Sequence, residues 1–151
     1  MAIDRTRAGL TVLRISLGVF FLFEGISKIR WFGNSGILAA QLTGWAQTVP
    51  PNSFTGRYLA HLALPWVAYF ARLVPLGELT CGVALIAGFA TSLFAFIAFF
   101  MALNFQFASA ALFTYSFLTS GYGLPVLGGT LALALAGSTR IRLSRSRTAR
   151  A

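Results

Sequence analysis

Charges inside the first apolar stretch constrain this chain more than any other feature. Residues 10–31 read LTVLRISLGVFFLFEGISKIRW, which supplies the about 20 residues that a helical bilayer crossing needs. Arg14, Glu24 and Lys28 lie inside that run. A charge at bilayer depth costs roughly 3 kcal/mol on insertion scales, so it faces protein or water rather than lipid. On a helix, Arg14, Gly18, Phe21, Gly25 and Lys28 fall on one stripe with a heptad repeat. Glu24 stands one turn before Lys28, the favourable order for an ion pair. Gly18 and Gly25 let a second helix approach along the same stripe. The stretch therefore reads as a membrane helix that turns a polar, small-residue face inward.

Composition agrees with a membrane protein. Apolar residues make up 57% of the chain and charged residues 10%, and the mean hydropathy of +0.76 lies well outside the soluble norm. No composition break divides the sequence, so residues 1–151 read as a single domain. The net charge of +9 is not a nucleic-acid signal. The basic residues gather near the termini, no basic face carries interleaved aromatics, and Lys and Arg accumulate on the cytoplasmic side of membrane proteins. The single Cys81 excludes a disulfide pair, a CxxC motif and zinc-type spacing.

Residues 1–8 form a short polar leader with Arg5 and Arg7. A cleaved signal peptide is the rival reading. Arg14 interrupts its apolar run and no small-x-small site follows, so a retained first span is favoured. From residue 32 to 65 the chain is mixed. Asn34 and Ser35 offer helix caps, and Leu38, Leu42, Trp45 and Val49 then recur on one helical face, with Gln41, Gln47 and Thr48 on the polar side. Trp45 suits a helix lying in the interface, and Pro50 and Pro51 end it. A second short helix, 54–64, carries Arg57, Tyr58 and His61.

The next spans are expected at 67–89, with Arg72, Pro75, Glu78, Cys81, Gly82 and Gly88, and at 93–113, with Asn104 and Gln106. A loop at 114–123 leads to a last span extended to 122–138, whose Gly128, Ala132 and Ala136 make a packing edge. A basic tail occupies 140–151. The expected fold is therefore an all-α membrane protein: a four-transmembrane-helix bundle with a short helical external cap between spans 1 and 2. Four spans place both termini on one side. Arg5, Arg7 and the arginines of 140–150 make that side cytoplasmic, in the cytoplasmic (inner) membrane. The tail also suits contact with anionic lipid.

Depth decides where chemistry can sit. With the first span centred near Phe21, Glu24 lies about 4.5 Å toward the outer side. Glu78, Asn104 and Gln106 fall at similar outer depths in their own spans, and Lys28 lies a turn above. Arg14, Glu24, Lys28, Glu78, Asn104 and Gln106 are therefore the candidate polar intramembrane cluster. Its plain reading is an ion-pair network that fixes helix register. Its functional reading is a polar cavity that binds a small anion or a quinone head-group or passes protons. His61 reads as an interfacial polar residue, since no second His shares a metal, and Cys81 as a small buried apolar residue.

LRISLGVFFLFEGISKI in the first span and PLGELTCGVALIAGFATSLFAFIAFFMALNF across the second and third resemble the DoxX/DoxD-like membrane family. The resemblance rests on an early Arg, a Gly-x-x-Lys ending span 1, and Glu-x-x-x-Gly with Leu-x-x-Gly in span 2. Here these are Arg14, Gly25, Lys28, Glu78, Gly82, Leu85 and Gly88. The likeness covers about residues 13–105, and the C-terminus departs from it, with a basic tail where the family places an acid. It implies a four-helix membrane protein, linked to thiosulfate:quinone oxidoreductase, whose membrane subunit is DoxD-like, or to other redox and sulfur-stress complexes.

Three functional classes follow. The first is a small subunit of a quinone-linked redox complex. The second is a non-catalytic subunit packing around a larger membrane complex or a second copy of itself. The third is a small-solute or lipid-binding module, disfavoured because no paired broken helices are visible. The sequence holds one His and one Cys, too few for a haem pair or an iron–sulfur set, so no redox cofactor is intrinsic. A redox role requires a quinone and a partner. Lipid is the other expected partner, and nucleic acid is not one.

Overall fold

A computed structural model of the chain describes residues 5–148, and side chains as far as residue 136. Every regular element among the described residues is helical: α1 (Arg5–Ser27), α2 (Gly36–Thr48), α3 (Phe54–Tyr58), α4 (Val67–Ala87), α5 (Thr91–Ala108), α6 (Tyr115–Thr119) and α7 (Leu124–Thr148). A 3-10 turn, Ile29–Phe32, follows α1, and a π turn, Leu59–Ala63, follows α3. Helices α1, α4 and α5 are long and apolar enough to cross a membrane; the apolar part of α7, Leu124–Ala136, is shorter. The long helices close a ring of neighbours in the order α1, α4, α5, α7 and back to α1.

The α1–α4 seam is the most intimate, and glycine makes it so. A Cβ on Gly18 would stand 2.9 Å from the Ile86 backbone nitrogen, and one on Gly25 2.9 Å from that of Leu79. A Cβ on Gly82, approaching from the other side, would stand 2.6 Å from the Leu22 nitrogen. The two backbones touch where any side chain would hold them apart. Around this seam Leu17 and Phe21 of α1, Cys81 and Leu85 of α4, Ala95 and Ala98 of α5, and Val126, Leu133 and Ala134 of α7 form the central core.

A second apolar cluster covers one end of the ring. Leu38 and Leu42 of α2 are buried there with Trp31, Leu59, Ala63, Ala71 and Ala108, and Trp45 and Val49 pack against them. The stripe read from the sequence is thus the buried face of α2. Its N-terminus is held by the Asn34 side chain, which accepts from the Gly36 amide at 3.0 Å; Ser35 makes no side-chain cap.

Helix boundaries differ most from the expected ones at three places, and the expected loop at 114–123 holds the short helix α6. α1 stops at Ser27 and tightens into the 3-10 turn, short of residue 31. α5 stops at Ala108 because Ala110 and Phe113 take left-handed φ values of 54° and 65°. No Gly or Pro announces that break. α7 runs on to Thr148 through much of the expected tail, since Arg is a good helix former and no Gly or Pro follows residue 137. The side chains of that tail, its residues 149–151 and leader residues 1–4 lie outside the described residues.

Candidate functional site

The site is built where α1 ends. The switch to a 3-10 turn at residue 28 swings Lys28 across the α1–α4 seam and puts the buried Trp31 beside it. The Lys28 ammonium donates to Glu24 Oε2 at 2.8 Å and to both oxygens of Glu78 at 2.7 and 2.9 Å. All three ammonium hydrogens therefore have carboxylate acceptors. The same group lies 5.2 Å from the ring centre of Phe105 and 5.9 Å from that of Trp31. Both faces add cation–π attraction in a desolvated setting. The side chains are secluded: 12% exposed for Lys28, 20% for Glu24 and 6% for Glu78.

Glu24 has a second partner. The Tyr122 hydroxyl donates to Glu24 Oε1, and the Tyr122 carbonyl accepts from Gln106 Nε2 at 2.9 Å. The Tyr122 ring packs edge-on against Phe20 with centroids 5.1 Å apart. These groups line a cavity of about 220 Å³, walled on its apolar side by Phe20, Phe21, Met101 and Phe105, with Gln41 and Ser109 also at its wall.

Glu24, Lys28, Glu78 and Gln106 thus meet at one cavity, and two other candidates do not. Asn104 faces a neighbouring space of about 30 Å³ and accepts from the Tyr58 hydroxyl at 2.7 Å. Positions 104 and 106 are about 200° apart around a helix, so they address different faces. Arg14 shares a stripe with Lys28 but lies about 21 Å along it. Its guanidinium sits beside Gly88, where any Cβ would run into it. Gly88 ends α4 with φ 77°, and the Phe89 amide closes back on the Ala84 carbonyl at 2.9 Å. A cation at that helix C-terminus is favourable, which accounts for Arg14 on fold grounds.

Sequence reasoning missed Tyr122. Its signal is a phenol at the mouth of the last apolar helix, a residue with one apolar body and one polar tip. Cys81 is buried beside the core as read, and His61 is exposed. Among the described residues no group of His, Cys, Asp or Glu could hold a metal ion.

The match to the DoxX family model covers residues 9–111. The chain belongs to the DoxX family. That stretch runs from α1 to just past α5 and contains Arg14, Gly25, Lys28, Glu78, Gly82 and Gly88; Tyr122 and α7 lie beyond it. Neither the curated proteins nor the solved structures offer a match. DoxX is a membrane family, and the three long apolar helices agree with that.

Proposed function

We propose that this DoxX-family protein is a small subunit of a membrane redox complex and binds a quinone head-group in the cavity beside Lys28. The observation that carries this reading is the cavity itself: a chamber with Phe20, Phe21, Phe105 and Tyr122 in its wall beside a cluster of charges. Its volume of about 220 Å³ is below the usual range for whole ligands, about 300–1,000 Å³. That size suits a single ring with its tail left in lipid.

Charge separates a quinone from the sulfur anions that the resemblance also raises. Glu24, Glu78 and Lys28 carry one net negative charge when both carboxylates are ionised and none when one of them holds a proton. In neither state does the cluster attract an anion, and when ionised it repels each unit of anionic charge by about 3 kcal/mol at about 5 Å and an effective dielectric of about 20. A neutral ring meets no such barrier. For such a ring the chain offers the apolar walls of Phe20 and Phe105 and the second Nε2 hydrogen of Gln106, whose first is held by Tyr122. A bound quinone would supply two-electron, two-proton chemistry. The protein's residues would position the ring, exclude bulk water and hold a proton near it, while electrons would come from a partner.

In this reading α7 is the fourth crossing. The part of it ahead of the first tail arginine, residues 124–139, reaches about 24 Å at 1.5 Å per residue, a short crossing of a hydrocarbon core of about 30 Å that local bilayer thinning accommodates. Arg5, Arg7 and the arginines of 140–150 then place both ends in the cytoplasm, and residues 29–64 form an external cap. A purely structural role draws support from the complete pairing of Lys28, and the same experiment separates the two. Extraction in mild detergent, followed by quinone absorbance and identification of co-purifying subunits, is expected to find quinone with the wild type. Filling the cavity with Gln106→Trp should remove it. A wild type that carries no quinone, and takes up none when a short-chain quinone is added, would leave the structural reading.

A further inference from the structure

We propose that Glu24, Lys28 and Glu78 share one exchangeable proton, and that Tyr122 is the residue through which this proton reaches the surface. The shared proton would supply the proposed quinone site, and its purpose rests on that reading. The proton itself is counted without any quinone.

The charges of the cluster do not balance. Register and stability would be served by one acid on Lys28, yet two carboxylates converge on the same ammonium. Among the described residues lining the cavity, Lys28 is the one cation. An uncompensated charge this secluded in a membrane bundle is costly, and a single proton removes it. The groups that face the cluster are Glu24 from α1, Lys28 from the turn that follows it, Glu78 and Cys81 from α4, and Tyr122 from the turn before α7. The neighbouring chamber adds the phenol of Tyr58. α5 contributes Gln106, which does not titrate.

A hydrogen-bonded path joins this cluster to the outside. It runs from Glu78, 5% exposed, through Lys28 to Glu24 and on to Tyr122, 54% exposed. For inward transfer, the phenol hands its hydrogen to Glu24 while its oxygen takes one from a hydronium ion at the surface, which is left as water, so Tyr122 ends as it began. Lys28 gives a hydrogen to Glu78 and takes one from Glu24, and also ends unchanged. One proton has then moved from hydronium to the buried acid. Gln106 holds the Tyr122 backbone in register for this role.

Infrared spectroscopy of the full-length protein in detergent tests both parts. The chain has three acidic residues, Asp4, Glu24 and Glu78, so the protonated-carboxyl region is almost free of other signals. One protonated carboxyl is expected near neutral pH. It should vanish in Glu24→Gln and also in Glu78→Gln, because either change leaves one acid for one ammonium. A proton belonging to one acid alone would survive removal of the other, and that result overturns the sharing. Absence of any such band in the folded wild type overturns it as well, without recourse to a variant. In Tyr122→Phe the band should remain, with its exchange into D₂O slowed by about a hundredfold. Exchange at the wild-type rate would remove Tyr122 from the path.

Discussion

The two ends of the α1–α4 seam share a glycine contact and differ in what surrounds it. At Gly18 and Gly82 the helices meet backbone to backbone, with apolar side chains packed round the contact. About two turns further along, the same pair surrounds Glu24, Lys28 and Glu78, and beside them the bundle opens into a chamber. The closed end sets the distance between the helices, and the open end depends on it. Lys28 reaches Glu78 from another helix only because the glycines bring the two backbones together. Packing at one level thereby fixes electrostatics at the next.

The contrast breaks most severely at Lys28. Lys28→Met strands two carboxylates and is expected to destabilise the solubilised bundle by about 3–5 kcal/mol. Adding Glu24→Gln and Glu78→Gln together should restore most of that loss, as thermal unfolding would show. Strictly additive losses would mean that the three side chains do not act as one network. The closed end should yield next. In Gly82→Ala the new Cβ meets the Leu22 backbone rather than a flexible side chain, and overpacking of this kind costs about 1–3 kcal/mol. Gly128→Ala, with nothing within 4 Å of its Cβ, should be neutral or slightly stabilising. Equal melting temperatures for these two variants would contradict a glycine-set seam. The smallest effect is expected beside the open end, where Tyr58→Phe removes the exposed hydrogen bond to Asn104 at about 1 kcal/mol or less. That variant should leave the Lys28 cluster intact.

The same contrast explains what the sequence discloses. Charges inside an apolar run are conspicuous, so Arg14, Glu24, Lys28 and Glu78 stand out along the chain itself. Heptad spacing of Gly18 and Gly25 likewise announces a close helix neighbour. What a one-dimensional reading loses is angle. Asn104 and Gln106 look like a pair at one depth, yet they sit on different helix faces and line different spaces. Arg14 and Lys28 share a face yet serve opposite ends of it. Tyr122 is lost for a further reason: its partner Glu24 lies 98 positions away, and only the closing of the ring joins them. The end of α5 is illegible because ordinary residues, Ala110 and Phe113, adopt the turn conformation that Gly or Asn would have signalled.

Saturable binding of a short-chain quinone, read as quenching of Trp31 and Trp45 fluorescence in the detergent-solubilised protein, tests the central claim most directly. Trp31 is 5.9 Å from the Lys28 ammonium, and Trp45 packs 5.9 Å from the Phe105 ring that walls the cavity. One site per chain is expected in the wild type, with affinity reduced about tenfold or more when Gln106→Trp fills the chamber, a change of at least about 1.4 kcal/mol. Quenching that never saturates, or that is unchanged in that variant, would contradict a quinone site beside Lys28.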